Sequence, residues 1–160
     1  MGPGRASRQP SPLDAAYRYL GYRPRSEFEM RTFLEGKGFG RQAIDSTLST
    51  LKSKGLLDDV AFARYWRESR ESSSPRSRAA LVSELRRKGV DPEVVAAALD
   101  GVDEEAAAYA AARKSAARLG RSDRGEFRGK LAAALRRRGF SYEVTERTVN
   151  RLWQESRSHG

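Results

Sequence analysis

Apolar residues along this chain recur three and four positions apart, the spacing of one helix face, and they do so in three similar blocks. Each block turns on the same short stretch: Leu34-x-x-Lys37-Gly38-Phe39, then Leu85-x-x-Lys88-Gly89-Val90, then Leu135-x-x-Arg138-Gly139-Phe140. Successive anchor leucines stand 51 and 50 residues apart. Four positions before the anchor come Met30, Leu81 and Leu131; ten after it come Ile44, Val95 and Thr145. Leu48, Leu99 and Val149 follow at fourteen, and Leu51, Val102 and Leu152 at seventeen. A fixed period with matched internal spacing is an internal repeat, each copy one supersecondary unit.

The stretch reads as a helix stop followed by a helix start. Two apolar side chains four apart share a face. A cation in the last turn meets the negative end of the helix dipole. The glycine after it is free to take the left-handed conformation that closes a helix. Gly36-Lys37-Gly38-Phe39-Gly40 is glycine-rich, but no strand precedes it and the phosphate-loop spacing is missing.

The pattern predicts three helices per unit. A short helix over 13–20 precedes Tyr22-Arg23-Pro24-Arg25; Ser26 with Glu29 then forms a capping box for a helix over about 27–37, and a third runs over about 41–54. In the second unit Asp58 or Asp59 caps a helix carrying Phe62, Ala63, Tyr65 and Trp66. Pro75-Arg76-Ser77 echoes Pro24-Arg25-Ser26 at an offset of 51 and opens a helix over about 77–88; Asp91-Pro92-Glu93 opens the next. In the third unit Asp103-Glu104-Glu105 starts an alanine-rich helix reaching about Leu119, a polar turn spans 120–125, and helices follow over about 126–138 and 142–155. The expected organisation is a basic disordered tail or partial cloning remnant at 1–12, three-helix repeats at 13–57, 58–102 and 103–155, and a frayed end at 156–160. Three small helices bury little area alone, so stacking neighbours must cover their leftover apolar faces. The fold class is therefore all-α: three tandem helix-turn-helix-like units in an elongated, curved array.

Composition agrees. The 22 Ala and 14 Leu outnumber the 14 Val, Ile and Thr combined, which favours helix over sheet. No cysteine is present, which fits a reducing cytoplasm. No apolar run reaches the roughly 18 residues of a membrane span, and no signal-peptide core is visible. A monomer with no cofactor is expected. Enzyme chemistry has little to stand on: the single histidine, His159, lies in the tail, and no serine has a histidine partner. Asp58-Asp59 could ligate a metal or cap a helix; capping is the simpler reading.

Charge says more. The formal net charge is +10. Residues 1–57 hold 10 basic and 5 acidic side chains, residues 58–103 hold 8 and 9, and residues 104–160 hold 13 and 7. The ends are basic and the middle near neutral, so a polyanion or an acidic protein surface is the expected partner. The cations cluster at the second-helix ends, Arg86-Arg87-Lys88 and Arg136-Arg137-Arg138, and in the connectors, Arg23, Arg25 and Arg76. Two readings account for the triplets: a binding patch, or dipole pairing with solubility. A base-reading helix-turn-helix would carry Arg, Asn or Gln on its third helix. Here those helices bring Arg41, Gln42, Asp45 and Lys52 in the first unit, Asp91, Glu93 and Asp100 in the second, and Glu143 and Glu146 beside Arg147, Asn150 and Arg151 in the third. Weak non-specific phosphate contact at the basic ends is the DNA binding this pattern allows, and a standalone DNA-binding module is the alternative it leaves open.

Tyr19-Leu20-Gly21-Tyr22-Arg23-Pro24-Arg25-Ser26-Glu27-x-Glu29-Met30-Arg31 with Leu34-x-x-Lys37-Gly38-Phe39 resembles the RecX family of RecA regulators. So do Gly55-Leu56-Leu57-Asp58-Asp59-x-x-Phe62-Ala63-x-x-Trp66, Glu84-Leu85-Arg86-x-Lys88-Gly89-Val90 and Arg137-Arg138-Gly139-Phe140-Ser141-Tyr142-Glu143-Val144. The likeness spans about Leu13 to Glu155; Ser77 stands where relatives often have glycine, and the stretch from Glu105 to Ala117 adds little. The resemblance implies a three-repeat helical protein that binds RecA and the RecA–single-stranded DNA filament in its helical groove. It further implies suppression of strand exchange, ATP hydrolysis and coprotease activity.

Overall fold

The structure, a computed structural model, describes residues 9–159. Those residues form helices and connectors with no strand. The first unit holds α1 (Pro12–Leu20), α2 (Glu27–Gly36) and α3 (Arg41–Ser53). The second holds α4 (Asp59–Ser73), α5 (Arg78–Arg87) and α6 (Pro92–Ala98), and the third α7 (Glu104–Arg118), α8 (Arg124–Arg137) and α9 (Tyr142–Ser158). All extensive helix–helix packing falls within a unit. Each unit has its own core, centred on Met30, Leu34 and Ile44, then Phe62, Leu81 and Leu85, then Phe127, Leu131 and Leu135. In the third unit Ala108, Ala112 and Ala116 line one face of α7 and admit α9 closely, while Phe127 meets Trp153 edge-on at 5.1 Å.

The repeated stop is a Schellman motif in all three copies. The N–H groups of Phe39, Val90 and Phe140 donate back to the carbonyls of Leu34, Leu85 and Leu135 at 3.2–3.3 Å. Those of Gly38, Gly89 and Gly139 donate to Glu35, Arg86 and Arg136 at 2.9–3.0 Å, with φ of +88°, +75° and +91°. The two bond sets satisfy carbonyls that a bare helix end leaves open.

Three boundaries differ from the sequence expectation. Ser11 caps α1 and Pro12 is its first residue, so part of the supposed tail is structured; residues 1–8 lie outside the described residues. Helix α8 begins at Arg124, because Asp123 accepts the Glu126 N–H and caps it within the expected turn. Helix α9 continues to Ser158 where fraying was expected, with Arg157 stacked 4.3 Å over Trp153 and the Ser156 hydroxyl bonded to the Trp153 carbonyl.

Successive units join by one repeated contact: the N-terminus of each second helix meets the C-terminal turn of the next unit's second helix. At the first junction the Ser26 hydroxyl donates to the Lys88 carbonyl at 2.6 Å, and the Glu27 N–H donates to Asp59 at 2.9 Å. At the second, the Ser77 N–H donates to the Arg138 carbonyl at 3.2 Å, and the Arg78 N–H donates to Glu104 at 2.9 Å. Positive helix ends thus face negative ones, and the first acid of α4 or α7 takes an orphan N–H of the preceding unit. Helices α8, α5 and α2 abut in series. Their combined 34 residues amount to roughly 50 Å of helix axis.

Candidate functional site

The nine cations singled out from the sequence divide into two groups. Arg23 forms a forked pair with Glu29 (3.1 and 2.5 Å) and lies 5.7 Å over Trp66. Lys88 brings its Nζ within 3.3 Å of the same carboxylate and 5.3 Å over the same ring. Arg25 donates to the Tyr19 carbonyl and stacks 3.7 Å above the Tyr19 ring. Arg76 holds its Nε 3.1 Å from Glu84, close enough for an ion pair but out of hydrogen-bond alignment. Arg138 reaches the Pro75 carbonyl at 3.5 Å. These five hold the connectors and junctions. Arg86, Arg87, Arg136 and Arg137 are exposed and make no ion pair among the described residues. Each triplet therefore splits: its third cation turns inward to the preceding unit, and its first two face solvent on the last turns of α5 and α8.

The sequence reading gave Glu29 and Asp59 capping roles only, and missed that they and the Trp66 ring organise the first junction, with Glu84 holding that ring. Glu29, 9% exposed, also accepts the Ser26 N–H. Burial pushes its pKa up, but Arg23, the Ser26 N–H and Lys88 outweigh this and hold the carboxyl below its ordinary range. Glu84 gathers Arg70 at 3.0 Å, Arg76, and the Trp66 indole N–H at 2.6 Å. Asp59 shifts the other way: burial raises it despite the Glu27 N–H. The one available signal was a lone acid before an anchor leucine, at Glu84, where the other units carry Phe33 and Ala134.

Because the folded-state pKa of Glu29 is depressed, its contribution is present above the unfolded value near 4.3 and lost as pH falls through the folded value. The raised Asp59 works in the opposite sense and gains on protonation. Glu29→Gln is expected to cost about 1–3 kcal/mol at neutral pH and to flatten the acid limb. Urea unfolding across the range where carboxylates titrate, about pH 3 to 7, tests it; curves that stay parallel to wild type would assign the acid limb elsewhere.

Other candidate groups have local roles. Asp58 caps α4 by accepting the Val60 and Ala61 N–H groups. The His159 ring nitrogen sits 2.9 Å from the Glu155 carbonyl. Among the described residues no three His, Cys, Asp or Glu side chains cluster to hold a metal ion, and no helix is long and apolar enough to cross a membrane. On the third helices, Arg41 is exposed and makes no ion pair among the described residues, whereas Lys52 pairs with Glu27, Arg147 with Glu105 and Glu143, and Arg151 with Glu155. Those paired cations are committed within the chain rather than free for base edges.

Such a molecule falls in the class of tandem helical-repeat proteins that present a surface. The comparisons with known proteins specify the class. Profiles of the first, second and third three-helix domains of RecX match residues 13–61, 58–99 and 103–149. The regulatory protein RecX of Amycolatopsis mediterranei is 37% identical over 144 residues, covering 86% of this chain and 82% of the relative. That of Chlorobium limicola is 34% identical over 139 residues, 87% of each. The crystal structure of RecX from Lactobacillus salivarius superposes with a TM-score of 0.70 at 22% identity, covering 88% of this chain and 94% of that one, and supports the fold. The chain belongs to the RecX family of regulatory proteins.

Proposed function

We propose that this protein regulates RecA: it binds RecA and the RecA–single-stranded DNA filament and suppresses recombinase, ATPase and coprotease activity. In doing so it modulates DNA repair and the SOS response. The observation that carries the reading, beside family membership, is the pair of exposed cations at matching turns of consecutive units, Arg86-Arg87 and Arg136-Arg137. An extended array with evenly repeated contacts suits a partner that is itself a repeating filament. Several modest contacts on linked units then add through effective concentration. Catalysis plays no part in this proposal.

Titration of the protein into RecA hydrolysing ATP on single-stranded DNA tests the reading. Hydrolysis is expected to fall at amounts well below one per RecA protomer. Unchanged hydrolysis up to equimolar protein would count against it. Tight DNA binding without RecA, lost steeply as salt rises, would instead support a standalone nucleic-acid module acting through the basic ends.

A further inference from the structure

The three units can be compared position by position, because each first helix starts after its own cap and each second helix ends two residues past its anchor leucine. In the groove between them, the eighth residue of the first helix faces the residue before the anchor. In the first unit these are Tyr19 and Phe33, stacked at 4.0 Å and 6° with Arg25 above. In the second they are Trp66 and Glu84, joined by Arg70, the twelfth residue of α4. In the third the matching residues are Ala111, Ala134 and, for Arg70, Ser115. Ala111 packs on the core, but the Arg70–Glu84 bridge has no counterpart at Ser115 and Ala134, and there an open groove of about 510 Å³ remains between α7 and α8. Leu119, Leu131 and Ala134 line its floor, and Arg118, Lys130 and Arg137 its rim; no acid and no residue of the second unit lines it. Lys130 pairs with Glu126, whereas Arg118 and Arg137 make no ion pair among the described residues.

We propose that this groove is a docking site for an acidic segment of the protein partner carrying one large apolar or aromatic side chain. That side chain rests on Leu119, Leu131 and Ala134, where the Arg70–Glu84 pair lies in the second unit, and the flanking carboxylates meet the rim cations. The chemistry favours protein over single-stranded nucleic acid. Strand-binding grooves use aromatic platforms on which bases stack, and this floor has no ring. The proposal rests on the reading that RecA is the partner and supplies a contact for it distinct from the exposed arginine pairs, Arg137 alone belonging to both.

Ser115→Arg with Ala134→Glu rebuilds the second unit's pair in the third and closes the groove. Arg118→Glu leaves it open but reverses a rim charge. Both are compared with wild type by RecA ATPase on single-stranded DNA, with thermal melting as the check on folding. Both are expected to raise the half-inhibitory concentration about tenfold, while Arg118→Glu, on the last turn of α7, lowers melting only slightly. If wild type inhibits and both variants match it, the groove proposal alone is overturned. If wild type fails to inhibit, the regulatory reading falls and takes the groove with it. A fluorescein-labelled oligothymidylate is titrated in parallel; binding that wild type shows and the filled variant loses would assign the groove to nucleic acid and overturn the proposal.

Discussion

Gly89→Ala is expected to cost more stability than Gly38→Ala, although both glycines close helices in the same way. Each has positive φ, +75° and +88°, where an L-residue pays about 1–2 kcal/mol. A Cβ on Gly38 meets nothing within 4 Å. On Gly89 it would lie 2.4 Å from the Phe28 Cβ and 2.7 Å from its Cγ. Those atoms sit next to the α2 backbone, so relief requires shifting α2 against α5, and overpacking of this kind adds about 1–3 kcal/mol. The expected losses are about 1–2 kcal/mol at Gly38 and about 2–5 kcal/mol at Gly89. Gly139→Ala should fall between, because its Cβ would meet the Ser77 hydroxyl at 2.5 Å, which can rotate, and the Ala80 Cβ at 2.9 Å, which cannot. Urea unfolding measures all three. Equal losses would show that α2 does not press on Gly89 as closely as the 2.4 Å approach of Phe28 implies.

The second large effect concerns binding. Reversing Arg86, Arg87, Arg136 and Arg137 together to glutamate is expected to raise the half-inhibitory concentration on RecA ATPase on the order of a hundredfold. These side chains are exposed and make no ion pair among the described residues, but they sit on the last turns of α5 and α8, so each reversal should cost about 0.5–1 kcal/mol through the helix dipole, and melting is measured beside inhibition. Lys88→Ala and Arg138→Ala should show the converse, a stability loss with smaller loss of inhibition, since these cations reach the preceding unit. Wild-type inhibition by the fourfold variant would move the partner contact to another face.

Much of the fold was legible because its signals are local. Leu-x-x-Lys-Gly marks a stop whose hydrogen bonds span five residues, and Ser26 with Glu29 marks a start spanning three. The α8 start was misplaced because Gly125 read as turn, yet a helix's first turn tolerates glycine once Asp123 caps it. The α9 end was misplaced because Trp153 holds a last turn that composition alone reads as fraying. The sorting of the cations was not legible. Whether Lys88 or Arg87 turns inward depends on where Ser26 lands, a contact 62 residues away that no periodicity encodes. The echo of Pro24-Arg25-Ser26 in Pro75-Arg76-Ser77 showed that these connectors are equivalent, but not that each grips the following unit.

Imaging RecA filaments on single-stranded DNA in the presence of this protein tests the central claim most directly. The account predicts helical density along the filament groove, with three small bundles per molecule and the turns bearing Arg86-Arg87 and Arg136-Arg137 against RecA. Filaments with an empty groove, and protein bound only to DNA stretches bare of RecA, would contradict it.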